Sequence, residues 1–467
     1  MNAPKPKLLI SMAVMLCVGC TVGPNYRRPA VPAPPEYRGL PADQVGKSDP
    51  ASFSDQKWWD AFQDEALRDL IQTALKQNYE VRIAAARILE ARAQLGVTRA
   101  DQFPLVAANA SSVNERIAQS ARIPNIQTSA NQLSLSAAWE LDFWGRYRRA
   151  TESARASLLA QEWAQRAVIS SLVSDVASAY FQLRELDLEL EISRRTLVSR
   201  QDSLRLTQIL ADHGSTSLLD VRQAEQLVFS AAASIPDLEQ RIEQQENFIS
   251  TLLGENPHSI ARGKELVDQP HPLEVPAGLP SSLLERRPDI RQAEQQLIAT
   301  NAQIGVAKSA YFPQISLTAA GGYQSSALTG LFSGPAGLWS IGGSAAQPIF
   351  EGGRIRNSVK FAQAQTQEVM LVYQRTVQQA FRDVSDSLVA YRRSQEFRIQ
   401  QEQLTNAAEG AKNLSNMRYK GGATSYLEVL DSDTRYFSAQ LTLAQAQLRE
   451  IESLVQIYRS LGGGWQR

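Results

Sequence analysis

Side chains able to carry covalent or metal chemistry are few in this sequence, and they do not converge. The three histidines, His213, His258 and His271, are scattered, whereas a zinc centre gathers three or four ligands at short spacing. The two cysteines, Cys17 and Cys20, both fall in the first twenty of 467 residues, so the body of the chain has neither a disulfide framework nor a thiolate cage. No Gly-Xaa-Ser-Xaa-Gly elbow, His-Glu-Xaa-Xaa-His pair or phosphate loop occurs. The sequence therefore points away from an enzyme: no catalytic residue, metal or cofactor is expected. The 48 Lys+Arg balance 48 Asp+Glu, leaving no basic excess to displace counterions from nucleic acid. What chemistry remains belongs to carboxylates, and their meaning depends on the elements that hold them.

Those elements begin after an address. Lys5 and Lys7 precede an apolar run, Leu8 to Val18, that is too short to span a bilayer as a helix. Gly19 then precedes Cys20. The arrangement resembles a bacterial lipoprotein signal (residues 1–19) cut before Cys20, although Cys17 stands where leucine is usual. The resemblance implies S-diacylglycerol and N-palmitoyl groups on Cys20, and Thr21 in the following position resembles forwarding to the outer membrane. Residues 20–57 contain Pro24, Pro29, Pro32, Pro34, Pro35, Pro41 and Pro50 and read as an extended, lipid-anchored leash. No other run is apolar enough for a transmembrane helix.

The rest is written twice. Ala93-Gln94-Leu95-Gly96-Val97 recurs as Ala302-Gln303-Ile304-Gly305-Val306, and Phe103-Pro104 as Phe312-Pro313, at an offset of 209. Thr216-Ser217 and Leu219 recur as Thr424-Ser425 and Leu427, and Leu253-Gly254 as Leu461-Gly462, at an offset of 208. Chance does not hold register so long, so a tandem repeat is expected, 58–255 and 283–467, joined by a proline-bearing segment at 256–282.

Each copy follows one plan. A helix (64–101, 281–310) is followed by Phe-Pro, which opens strands of period two, at about 103–115 and 129–142, then 312–325 and 337–350. Leu133, Leu135, Ala137, Trp139 and Leu141 alternate with Ser134, Ser136, Ala138, Glu140 and Asp142. Long helical hairpins follow, 146–253 and 355–461. Leu172, Val176, Ala179, Leu183, Leu186, Leu190, Ser193, Leu197, Arg200 and Leu204 step by four and three, the 3.5-residue period of a coiled coil. The hairpins break at His213-Gly214-Ser215 and Gly421-Gly422, and Pro236 predicts a kink or local irregularity.

The fold class is thus mainly α with a membrane β-barrel. Four strands with an apolar and a polar face cannot close, and an open edge is not viable in lipid. The chain must pool strands with copies of itself, forming a membrane barrel continued by a helical tube: a conduit.

The chain is similar to the TolC/OprM-like outer membrane factors, in particular the lipoprotein channels of tripartite efflux systems. The resemblance rests on Trp58-Trp59-Xaa-Xaa-Phe62-Xaa-Asp64, Asn78 with Arg82, the two Phe-Pro openings, Leu141-Asp142-Xaa-Trp144-Gly145-Arg146, Arg286-Arg287-Pro288-Asp289-Ile290 and Gln347-Pro348-Ile349-Phe350-Xaa-Gly352-Gly353. It implies a homotrimeric tunnel in the outer membrane with a long periplasmic extension. It also implies a periplasmic adaptor (membrane fusion protein), an inner-membrane RND-type pump, and export of drugs or other small toxic solutes. A type I protein-secretion channel and a periplasmic coiled-coil scaffold lipoprotein are the alternatives.

By the same resemblance the helix breaks form the periplasmic gate. Asp431 and Glu428, one helical turn apart, match an acidic ring, whose like charges raise one another's pKa and favour cations. Asp220 is the counterpart of Glu428 in the first copy, and Tyr419 locks the tip. Gly214, Ser215, Thr216, Gly421, Gly422 and Thr424 are the adaptor-contact points. Outside the gate, Arg146, Arg148 and Arg149 lie below the predicted barrel, within reach of lipid headgroups. Trp58-Trp59 and Arg286-Arg287-Pro288-Asp289 read as structural, and His213 as a surface histidine.

Overall fold

A computed structural model describes residues 21–38, 52–53, 62–117, 126–269, 272, 275–278 and 280–465. Residues 1–20 with Cys20, and the Trp58-Trp59 pair, lie outside the described residues, as does the centre (118–125) of the loop expected at 116–128. Eight α-helices and four strands are named among the described residues. They are α1 (Glu65–Gln77), α2 (Tyr79–Ala100), β1 (Leu105–Ile117), β2 (Ile126–Leu141), α3 (Arg146–Asp212), α4 (Leu218–Leu253), α5 (Pro280–Arg286), α6 (Pro288–Ser309), β3 (Gln314–Ser325), β4 (Gly337–Ala346), α7 (Arg354–Lys420) and α8 (Tyr426–Ser460).

The helices expected at 64–101 and 281–310 are each two. Asn78 ends α1 with ψ near 131°, and its Oδ1 accepts from Glu80 N and Val81 N at 2.8 and 3.3 Å. One residue thus ends one helix through its backbone and caps the next through its side chain. The second break falls before Pro288, whose ring disfavours helical backbone at Arg287 and whose fixed φ suits the first position of α6. Phe-Pro does not open the strands. Phe103 N and Phe312 N close the preceding helices on Ala100 O and Ser309 O at 3.0 and 3.1 Å, and pairing starts two residues later. β4 ends at Ala346, ahead of Pro348 rather than at 350. Helix α4 runs uninterrupted through Pro236.

Two compact units form, and neither is one sequence copy. Among the described residues, the first draws on those within 21–30, 87–161 and 292–373, the second on those within 31–86, 162–291 and 374–465.

The first unit holds an antiparallel sheet in the order β1-β2-β3-β4. Its register aligns Val106, Ala137, Ala319 and Ile341 in one row, and Ala108, Leu135, Gly321 and Trp339 in the next. These rows share a face, and Trp339 and Ile341 are 79% and 80% exposed. The opposite face is polar and internally bonded: Asn109 Nδ2 donates to Ser136 Oγ at 2.9 Å, and Ser316 and Ser344 hydroxyls meet at 2.8 Å. Residues 21–30 are not a free leash. Arg28 grips Glu294 on α6 through Nε and Nη2, both at 2.6 Å, and Tyr26 O–H donates to the same carboxylate. Arg149 Nη2 donates to Asn25 Oδ1 at 2.7 Å. Gly23, at φ +105°, crosses Gly305 so closely that a Cβ would stand 2.5 Å from its Cα.

The second unit is packed around α3. Leu172, Val176, Ala179, Leu183, Leu186, Ser193 and Arg200 from the 3.5-residue stripe are all buried, with Tyr180 and Phe181 beside them. Each fully buried large apolar side chain contributes about 1.5–3 kcal/mol. Asp64 caps α1 through Leu67 N at 3.2 Å. Its other oxygen accepts from Tyr180 O–H, Lys264 N and Gln269 Nε2 at 3.0–3.1 Å, tying α1, α3 and the 256–282 segment into one buried knot.

Candidate functional site: the helix-hairpin tips

Both hairpins turn by the same device. Gly214 (φ +70°) donates to Ala211 O at 2.9 Å and Ser215 N to Leu210 O at 2.8 Å. Gly422 (φ +71°) donates to Tyr419 O at 3.0 Å and Ala423 N to Arg418 O at 2.9 Å. This paired 5→2 and 6→1 pattern terminates a helix at a left-handed residue, for which glycine carries no Cβ penalty. Gly421 N bonds Met417 O at 3.0 Å within the last turn of α7.

The restarts differ. At the first tip Ser217 caps α4 in a full capping box: Asp220 N donates to Ser217 Oγ at 3.3 Å, and Ser217 N returns to Asp220 Oδ2 at 3.2 Å. The Thr216 hydroxyl also donates to Asp220 Oδ2. Burial pushes the Asp220 carboxyl up, but the hydrogen bonds from Thr216 and Ser217 outweigh it and hold the group below its ordinary value. Asp220 therefore faces its own turn. At the second tip Ser425 has the extended backbone of a cap without a side-chain bond. Thr424 is half-buried beside it.

Glu428 lies in the first turn of α8, where the helix dipole favours a negative charge, and pairs with Arg418 at 3.3 Å. Asp431 is held by Arg435 Nε at 2.8 and 3.0 Å. Both pairs are more than two-fifths exposed on each side, so each contributes little to stability, while both carboxylates stay open to solvent. Tyr419 packs its ring against Tyr426 at 5.3 Å and borders a small core of Ala224, Tyr426 and Val429. Its hydroxyl points to Thr216 Oγ1 at 3.5 Å, the outer limit of a hydrogen bond, and so links the two tips.

Sequence reasoning missed what lies beneath. Asp433, on α8, accepts from Arg200 Nε on α3 at 2.8 Å and lies 3.1 Å from Lys412 Nζ on α7. Arg200 also donates to Leu227 O on α4 at 3.0 Å and lies over the Phe437 ring at 4.9 Å. All four hairpin helices meet at this Arg200–Asp433 pair, beside a cavity of about 490 Å³ that also reaches Ser203, Asn416 and Tyr426. The available signal was Arg200 itself, a charge at a core position of an apolar stripe, which requires a buried counter-charge.

The remaining candidates are engaged by partners within the chain. Arg146 pairs with Glu140 at 3.3 Å, Arg148 with Asp142 at 3.3 Å and Arg149 with Glu152 at 2.8 Å. Arg287 forks onto Asp289 at 2.6 and 3.0 Å and reaches Asp383 on α7 at 3.0 Å. The His213 ring bonds Ile209 O at 2.7 Å. Among the described residues no group of three or more His, Cys, Asp or Glu is placed to hold a metal ion, and no helix is long and apolar enough to cross a membrane.

An amphipathic sheet carried by 67-residue helices defines a class, and sequence comparison identifies it. The profile of the outer membrane efflux protein family matches residues 70–255 and again 279–463, so the chain belongs to that family. It is 38% identical to the solvent efflux pump outer membrane protein SrpC of Pseudomonas putida, over 99% of both chains. It is 33% identical to the cation efflux system protein CusC of Escherichia coli O6:H1, again over 99% of both. The solved outer-membrane channel OprN superposes with a TM-score of 0.88 at 32% identity, covering 96% of this chain and all of that one. The chain is an outer membrane component of an efflux pump.

Proposed function

We propose that three copies of this chain close a twelve-stranded barrel continued by a helical tunnel, a passive conduit that exports drugs or other small toxic solutes. The single observation carrying this reading is the sheet. Among the described residues β1 and β4 each pair on one side only, one face is apolar and exposed, and the other is polar. Such a sheet is stable in lipid only when its edges are joined. The tandem duplication is supported by the two family matches and by helix-ending glycines at equal spacing, Gly214 with Gly422 and Gly254 with Gly462.

An RND-type inner-membrane pump and a periplasmic adaptor complete the assembly. The adaptor seats on the tips around Gly214, Ser215, Thr216, Gly421, Gly422 and Thr424. Cys20 carries the lipid, and the strap at 21–30 sets where it enters the membrane. At the tunnel mouth Asp431 and Glu428 form the acidic gate. Tyr419 braces it against the first tip, and Asp220 acts by stiffening that tip's turn. Relatives are named for solvent efflux and for cation efflux, which supports a conduit whose scaffold does not itself select the cargo.

Single-channel conductance of the purified protein in planar bilayers, wild type beside Asp431→Ala, tests the reading. Low wild-type conductance that rises on substitution is expected. A conducting channel indifferent to the change removes Asp431 from the gate. No conductance from folded protein removes the conduit.

A further inference from the structure

We infer that Glu185 and Glu189, buried one helical turn apart on α3 where α4 and α8 pack against it, form a proton-operated clamp. One shared proton lets the three helices close, and its loss loosens them.

The geometry leaves few other ways to stabilise both carboxyls. Glu185 and Glu189 are only 5% and 3% exposed. The groups facing them are known from each neighbouring element. From α4, Arg241 Nη1 lies 3.6 Å from Glu189 Oε2, an ion pair longer than a hydrogen bond, with half of the arginine in solvent. From α8, Gln445 Nε2 donates to Glu189 Oε1 at 3.0 Å, while Glu452 brings a third carboxylate and Arg449 a second guanidinium to the same cavity. On α3 itself Gln182 donates to Glu452 at 2.8 Å, and Gln245 from α4 donates to Gln182 Oε1 at 3.3 Å. The cavity, about 540 Å³, is lined mostly by these amides and charges and is roomy enough for water. Three carboxylates thus face two guanidiniums, and two of the carboxylates are buried side by side. Like charges so placed cannot both ionise at low cost, so one holds a proton and donates it to the other.

The electrostatics of the pair point the same way. Burial first, then the hydrogen bond and charge of Glu189, push the Glu185 carboxyl from 4.5 up to about 8. The packed form therefore keeps a proton that a loosened, hydrated form releases. The clamp is fully closed below pH 4.5 and is lost as pH rises through about 8. The inference stands on helix packing alone and does not depend on the conduit reading.

Hydrogen exchange of the full-length protein in detergent, corrected for intrinsic base catalysis and followed from pH 6 to pH 9, tests it. In the wild type, protection around 182–189, 241–245 and 445–452 is expected to fall roughly 10- to 100-fold over this range, with α6 as the unaffected reference. Glu185→Gln keeps the shape and the donor of the protonated acid without the titration, and is expected to hold protection constant. Glu189→Gln removes the neighbouring charge and hydrogen bond but leaves Glu185 buried and titratable, so it is expected to move the loss of protection to lower pH, and it serves if the first variant does not fold. A wild type without the extra loss, or variants that lose protection in step with it, would overturn the clamp.

Discussion

Arg200 and Asp433, 233 positions apart, meet at 2.8 Å with both side chains shielded from water. Asp433 also holds Lys412, so one carboxylate neutralises charges from two other helices. Asp433→Ala is expected to destabilise the protein by about 3–5 kcal/mol, because it strands Arg200 in the core. Arg200→Met is expected to cost less, since Lys412 remains for Asp433. Denaturation midpoints in guanidinium check the order, and an unchanged midpoint for Asp433→Ala would remove the structural role.

The two tips should respond differently to acid. Asp220 is held below its ordinary value, so its contribution is present above the carboxylate range and is lost as pH falls through its folded-state value. Asp220→Ala, which removes the N3 half of the capping box and leaves the Ser217 cap, is expected to cost up to about 1 kcal/mol. It should also abolish the acid-dependent loosening of residues 213–220, read by proteolysis at the first tip below about pH 4.

The strap offers a sharper test. A Cβ on Gly305 would stand 2.7 Å from Val22 O and 2.8 Å from Arg149 Cγ. Gly305→Ala is therefore expected to release residues 21–30 from α6, making them a new cleavage site in limited proteolysis. Gly334→Ala, with nothing within 4 Å and no left-handed backbone, is the silent control.

Adjacent glycines in β3 should diverge. A Cβ on Gly322 would fall 2.2 Å from Leu133 O, whereas one on Gly321 would meet only Leu338 O at 4.0 Å. Gly322→Ala is expected to disrupt β2–β3 pairing and abolish heat-modifiable migration on gels, and Gly321→Ala to preserve it. Equal behaviour of the two would mean that the strands can separate without consequence.

Periodicity made much of this legible. The stripe from Leu172 to Leu204 is buried or half-buried throughout, and strand alternation gives the two faces of the sheet. Glycines marked both tips because a left-handed helix end has few alternatives. What escaped depends on partners distant in sequence. Glu185 and Glu189 look like solvated positions flanking Leu186 until Gln445, 256 residues beyond Glu189, closes over them. Asn78 interrupts a helix without proline or glycine, by a side chain that also donates to Leu252 O. The Pro-rich start read as loose because composition reports flexibility but not the Glu294 anchor waiting on α6.

The two raw edges of the sheet, β1 and β4, carry a consequence for assembly. In the ring of copies proposed above, a joined pair of chains exposes as many raw edges as a single chain, and only closure removes the last two. Partial complexes therefore gain little protection in lipid, and the wall should form collectively or not at all. On that proposal, membrane integrity depends on how many copies arrive together, and dilution acts on the assembly as a denaturant does on an ordinary domain.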